Sequence, residues 1–112
     1  MSRDMLEASV TAGEFGPVIV LSGESDQTCA GQLNALINGQ ISDGVRQLTI
    51  DLSGLRFADS ASIRTLVLAA KALKERNGDL VLLHPQQPVA RTLALTGADQ
   101  LITIRAIVNG TP

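Results

Sequence analysis

Apolar runs of strand length alternate with stretches of helical spacing along nearly the whole chain. That alternation limits the fold more than any single motif does. Pro17-Val18-Ile19-Val20-Leu21-Ser22 reads as a strand ending at Gly23, and Leu48-Thr49-Ile50-Asp51-Leu52 as another, closed by Ser53-Gly54. Leu80-Val81-Leu82-Leu83-His84 is a third, broken by Pro85, and Leu101 to Val108 is a last, weaker one. The first run is continuously apolar and β-branched, the pattern of a strand covered on both faces. Ahead of it Met5 to Thr11 alternates weakly and the chain turns at Gly13–Gly16, which predicts a short antiparallel edge strand.

The intervening stretches carry helical spacing. Between Gln27 and Ile41, the residues Leu33, Leu36, Ile37 and Ile41 fall three and four apart, and Ser42-Asp43-Gly44 stops the run. A second helix is expected from about Asp59–Ser60 to Asn77, with Asp59 or Ser60 as N-cap and an apolar face of Ile63, Leu66, Val67, Ala70 and Leu73. Lys71, Lys74 and Arg76 gather near its carboxyl end, where the helix dipole favours cations, and Gly78 stands where a left-handed cap is wanted. Pro88 to Thr96 reads as a third helix, with Leu93 inside and Gly97 at its end. The order β-β-α-β-α-β-α-β predicts an α/β domain: a mostly parallel sheet of four to five strands, an antiparallel edge strand and three to four helices. One domain over residues 4–108 accounts for the 112-residue chain, with loose ends at Met1 to Arg3 and Asn109 to Pro112. In such sheets functional surface collects beyond the carboxyl ends of the strands. Here those ends are Ser22 to Asp26, Asp51 to Ser60, and His84-Pro85.

Composition removes several function classes. With two Phe and no Tyr or Trp, the chain has no aromatic platform on which to stack single-stranded nucleic acid. A formal net charge of −2 disfavours a phosphate backbone as partner. Cys29 is the single cysteine, so no internal disulfide forms; inside the first helix it reads as a buried, inert thiol. No apolar stretch approaches the ~20 residues that span a bilayer, and the start lacks a signal-peptide layout. The expectation is a cytoplasmic domain without membrane insertion.

The common catalytic constellations are missing. There is no G-x-S-x-G elbow, no Walker A loop and no G-x-G-x-x-G, and His84 is the only histidine. Neither a zinc site nor a cofactor site is expected. Glu24, Asp26, Asp51 and Asp59 fall near strand ends, as in a Mg²⁺-binding receiver domain. That reading wants a lysine at the end of the last strand, and the only lysines are Lys71 and Lys74. Loop capping by Glu24 and Asp26, and loop amides held by Asp51, are the simpler expectations. The run from Asp51 to Leu66 is different: a strand and a short loop deliver Ser60 to a helix start among free backbone N–H groups. A phosphate is tolerated there, because the helix amino end attracts anions, and it would add about −2 of charge without melting the fold. Asp59 opposes it by like charge, while Arg64, one turn on, offsets that repulsion. From these residues alone a capping role for Ser60 is the favoured reading, because capping serines are common and switches are rare.

Four segments in order resemble the STAS family, the sulfate-transporter and anti-sigma-factor-antagonist domain, over roughly Phe15 to Ala106. Leu21-Ser22-Gly23-Glu24-Ser25-Asp26 is similar to its L-x-G-E-x-D, and Leu48 to Leu52 with Ser53-Gly54 to its strand-plus-DLSG run. Phe57-Ala58-Asp59-Ser60 looks like its F-x-D-S entry to the central helix. Val89 to Gly97 is similar to its V-x-x-x-L-x-x-T/S-G. The resemblance implies a small α/β domain without catalytic activity. In the anti-sigma-antagonist branch it would bind an anti-sigma factor with a histidine-kinase-like ATPase fold that is also a serine kinase. Phosphorylation of the serine after the aspartate, here Ser60, would block that capture, and a serine phosphatase would restore it. Asp26 and Asp59 match acidic positions beside the family's phosphorylation site.

The chain departs from the family's D-S-S-G-L-G, reading Asp59-Ser60-Ala61-Ser62-Ile63-Arg64, and Ser25 replaces the usual apolar residue between Glu24 and Asp26. Glycines on that helix would let a partner's backbone come close, whereas Arg64 adds bulk and charge. Ser62 becomes a second candidate hydroxyl. The expected partner-facing set is Glu24, Asp26, Asp59, Ser60, Ser62, Ile63 and Arg64. The replaced glycines also motivate an alternative, a constitutive STAS adaptor subunit docked on a lipid-transporter ATPase.

Overall fold

The chain folds in the order β1 (Glu7–Gly13), β2 (Gly16–Ser25), α1 (Ala30–Ser42), β3 (Gln47–Ala58), α2 (Ser60–Lys74), β4 (Asp79–Leu83), α3 (Gln87–Leu95), a single 3₁₀ turn (Ala98–Gln100) and β5 (Thr103–Arg105). The computed structural model describes residues 6–105. The expected beginning of the first strand at Met5, the last strand beyond Arg105, the two ends and the outermost residues of the 4–108 domain lie outside them. The five strands stand side by side in chain order. β1 and β2 form an antiparallel hairpin and every other neighbouring pair is parallel. The architecture is the mixed α/β sheet that the alternation of strands and helices predicts.

The strand order decides where the core sits. Three crossovers step in one direction across the sheet, and right-handed crossovers of that kind leave their helices on a common face. Burial follows this geometry. Ile19, Leu21, Leu48, Ile50, Leu52, Leu80 and Leu82 point under the helices and are fully buried. They meet Leu33, Ile37 and Ile41 of α1, Ile63, Leu66, Ala70 and Leu73 of α2, and Val89 and Leu93 of α3 in one aliphatic cluster. The opposite face of the sheet is only half-buried. Two cross-strand rows lie on it, Thr11, Val18, Thr49, Val81 and Thr103 in one and Ser9, Val20, Asp51, Leu83 and Arg105 in the other. The expectation that β2 is covered on both faces is therefore corrected. Its continuous apolar run alternates between a buried set and a half-buried set of valines.

Five local expectations also change. β2 does not stop at Gly23, and β3 does not close at Ser53-Gly54. The two strands stay paired as far as Ser25 and Ala58, through register shifts between Val20 and Ser22 and between Gly23 and Glu24. Gly54 is a strand glycine and not a turn: a Cβ there would sit 3.0 Å from the Ser22 Cβ and 3.2 Å from the Leu21 carbonyl oxygen. The left-handed residue after α2 is Asn77, at φ 61°, whereas Gly78 is required by contact, since a Cβ on it would lie 2.2 Å from the Arg46 carbonyl oxygen. Cys29 is buried as expected, but it is the N-cap residue of α1 and not part of its interior. β4 ends at Leu83, and His84 follows it half-buried at φ 54°.

Candidate functional site

Because β2 and β3 are parallel neighbours, they carry Ser25 and Ala58 to the same edge of the sheet, paired with each other. Each strand then turns into a helix. After β2, Asp26 turns the chain: its Oδ1 accepts from the Thr28 N–H at 2.9 Å and from the Thr28 hydroxyl, and its carbonyl accepts from the Cys29 N–H at 2.9 Å. After β3, Asp59 stays extended, at φ −86° and ψ 179°, and its N–H donates to the Ser25 carbonyl at 3.1 Å. Asp59 is the N-cap of α2, with its Oδ1 accepting from the Ser62 N–H at 2.9 Å.

That assignment settles the choice between Asp59 and Ser60 as cap. Ser60 is the first helical residue and is exposed, and among the described residues its hydroxyl makes no hydrogen bond. Ser60, Arg64, Leu68 and Lys71 share one outward stripe of α2, spaced four, four and three apart, and all four are exposed. Arg64 has no carboxylate partner among the described residues. Beside this stripe runs a shallow groove between α2 and the chain following α3, lined by Ser60, Ile63, Arg64, Val67, Thr96 and Leu101. Its surroundings carry apolar side chains in water: Leu68 is 51%, Leu95 80% and Leu101 49% exposed. On the other side of Ser60, Glu24 is exposed and lies 3.9 Å from the Arg56 guanidinium, a surface pair worth little energetically.

The expected partner-facing set divides. Glu24, Asp26, Ser60 and Arg64 are exposed and Asp59 is half-buried. Ser62 and Ile63 are interior residues, 1% and 2% exposed, and Ile63 reaches the groove only as part of its lining. Ser62 as an accessible second hydroxyl is thus corrected. Two positions past Ser60 the helix has turned its side chain inward, where it bonds Ser25. Asp51 also leaves the edge. It sits within β3, opposite Val20 and Leu83, and accepts from the Ser53 N–H at 2.9 Å. Among the described residues no three acidic, histidine or cysteine side chains converge on a possible ion position.

Sequence reasoning missed two features. One is the contact between Ser25 and Ser62. The other is the exposed leucines, of which Leu68 was legible: it falls outside the inward stripe of α2 and in step with Ser60 and Arg64.

The fold is a small α/β sheet with its helices on one face, and comparison with known proteins gives its family. The chain belongs to the STAS family, matching over residues 9–104 the family model described as "Mlab, STAS domain". It is 31% identical to the anti-sigma-B factor antagonist of Listeria monocytogenes over 90 residues, which are 80% of this chain and 78% of that protein. Its fold is similar to the crystal structure of an anti-sigma factor antagonist from Mycobacterium paratuberculosis, with a TM-score of 0.85 at 24% identity over 96% of this chain and 91% of the other. It is also similar to the Bacillus cell fate determinant SpoIIAA in its phosphorylated form, with a TM-score of 0.69 at 21% identity over 91% and 92% of the two chains. No described helix is long and apolar enough to cross a membrane.

Proposed function

We propose that this chain is a non-catalytic protein-binding switch, an anti-sigma factor antagonist that captures an anti-sigma factor through the face around Ser60 and releases it when Ser60 is phosphorylated. The observation that carries this reading is the hydroxyl of Ser60, exposed at the first residue of α2 and unused, because Asp59 already caps the helix. A structural serine would be spent on the cap. The apolar stripe and groove alongside give a docking surface of the kind proteins use, since exposed leucines gain from being covered. The partner on this reading has a histidine-kinase-like ATPase fold and phosphorylates Ser60, and a serine phosphatase reverses it. A phosphate placed there would gain from the helix amino end and from Arg64 on the next turn. It would also add about −2 of charge to an edge that already holds Asp59, Glu24 and Asp26, and so repel an acidic partner surface and disturb the docked contact.

The direct test is to incubate the chain with its partner kinase and ATP and follow intact mass. One added phosphate is expected, lost in Ser60→Ala and retained in Ser62→Ala. Phosphate that survives Ser60→Ala would contradict the assignment. A second reading, a constitutive adaptor on a transport ATPase, is favoured by Arg64, which occupies the docking stripe where the family pattern has glycine. It predicts co-purification with the ATPase whether or not Ser60 carries phosphate.

A further inference from the structure

Two of the residues at which this chain departs from the family pattern touch each other. Ser25, at the end of β2, is 0% exposed, and Ser62, in the first turn of α2, is 1% exposed. Their hydroxyl oxygens lie 2.6 Å apart, and the Ser62 hydroxyl donates to the Ser25 carbonyl at 3.1 Å. A serine has one hydroxyl proton, so with that of Ser62 committed to the carbonyl, the short contact is the Ser25 hydroxyl donating to Ser62 Oγ. The Ser25 carbonyl takes a second bond from the Asp59 N–H, and the Asp59 Oδ1 in turn accepts from the Ser62 N–H. Four hydrogen bonds thus close around Ser25, Asp59 and Ser62, and the two made by the serine hydroxyls are buried, where a half-satisfied group would be costly.

We propose that Ser25 and Ser62 are a positioning pair, which locks the acidic turn at Glu24 and Asp26 to the first turn of α2 and so holds the two halves of the docking face at one separation. The inference rests on the reading of the Ser60 face as that docking face. It gives the replaced glycine at position 62 a different meaning: the residue faces the interior, so it alters how the serine-bearing turn is held and not how closely a partner approaches. Of the two glycine replacements only Arg64 changes the outer surface. An apolar residue at 25 with glycine at 62, the family pattern, has no hydroxyl to form either side-chain bond.

The test is site-resolved amide hydrogen exchange on the partner-free protein for Ser25→Ala, Ser62→Ala and the double variant, together with each variant's affinity for the partner. Ser62→Ala should speed exchange of the Asp59 and Ile63 amides at least about tenfold while the β3 and β4 amides keep their protection, because opening is local. Ser25→Ala should act less, since the Ser62 bond to the carbonyl survives it. The double variant should be no faster than Ser62→Ala, because both changes remove one shared interaction. Partner affinity should fall in the same order as exchange rises. Unchanged local exchange in Ser62→Ala, or a uniform rise across all amides, would overturn the proposal. Local exchange that rises while affinity stays constant would leave the positioning intact and sink the docking reading. If Ser62→Ala does not fold, Ser25→Ala supports the same comparison.

Discussion

At the residue scale the account turns on which side chain at the entry to α2 is structural and which is free. Asp59 holds the cap, so Asp59→Ala should cost about 1 kcal/mol, the usual loss for an N-cap aspartate, and lower the thermal midpoint by roughly 4–8 °C in circular dichroism. Ser60→Ala should move the midpoint by no more than about 2 °C, as surface substitutions away from caps and cores do. A larger loss in Ser60→Ala than in Asp59→Ala would return Ser60 to a capping role. The sequence narrowed the cap to these two neighbours but could not choose, because Asp and Ser are nearly equal as caps and the choice depends on where the backbone turns helical. The Ser25–Ser62 contact was out of reach for another reason. It joins residues 37 apart, and a single sequence gives no sign that two unusual residues answer each other.

At the scale of elements, α2 is a helix with one packed face and one exposed face. Inward, Leu66 is 1% exposed in the core cluster, so Leu66→Ala should cost about 2–5 kcal/mol in denaturant unfolding. Outward, Leu68→Ser should leave stability nearly unchanged and weaken partner binding, measured by calorimetry. A stability loss as large as that of Leu66→Ala would mean that Leu68 packs internally. The helix and its inward stripe were legible because 3.6-residue periodicity is a local property of the sequence. The lengths of β2 and β3 were not. Ser53-Gly54 carries a turn signature, yet its glycine serves a close strand approach set by residues some thirty positions earlier in the chain. The same holds at the end of α2, where the need for Gly78 comes from the backbone of Arg46. Gly78→Ala should cost about 1–3 kcal/mol through that overlap, as overpacking does, read from the same unfolding curves.

At the scale of the whole molecule, strand order does most to place the site. Parallel β2 and β3 end together, so the Asp26 turn and the Asp59–Ser60 entry meet although they lie far apart in the chain. The alternation of strands and helices foretold the mixed sheet, and the rule of carboxyl-end sites points to the edge proposed as the docking face. The bare second face of the sheet was not foretold: a valine run reads alike whether both sides of the strand are covered or one side lies half-buried. In this architecture a phosphate on the exposed Ser60 would alter a surface and leave the aliphatic core untouched. The decisive measurement is the dissociation constant for the partner anti-sigma factor with the chain unphosphorylated and with Ser60 fully phosphorylated. The account predicts binding at least about tenfold weaker after phosphorylation, a difference near 1.4 kcal/mol or more. Equal affinity for the two forms would contradict it.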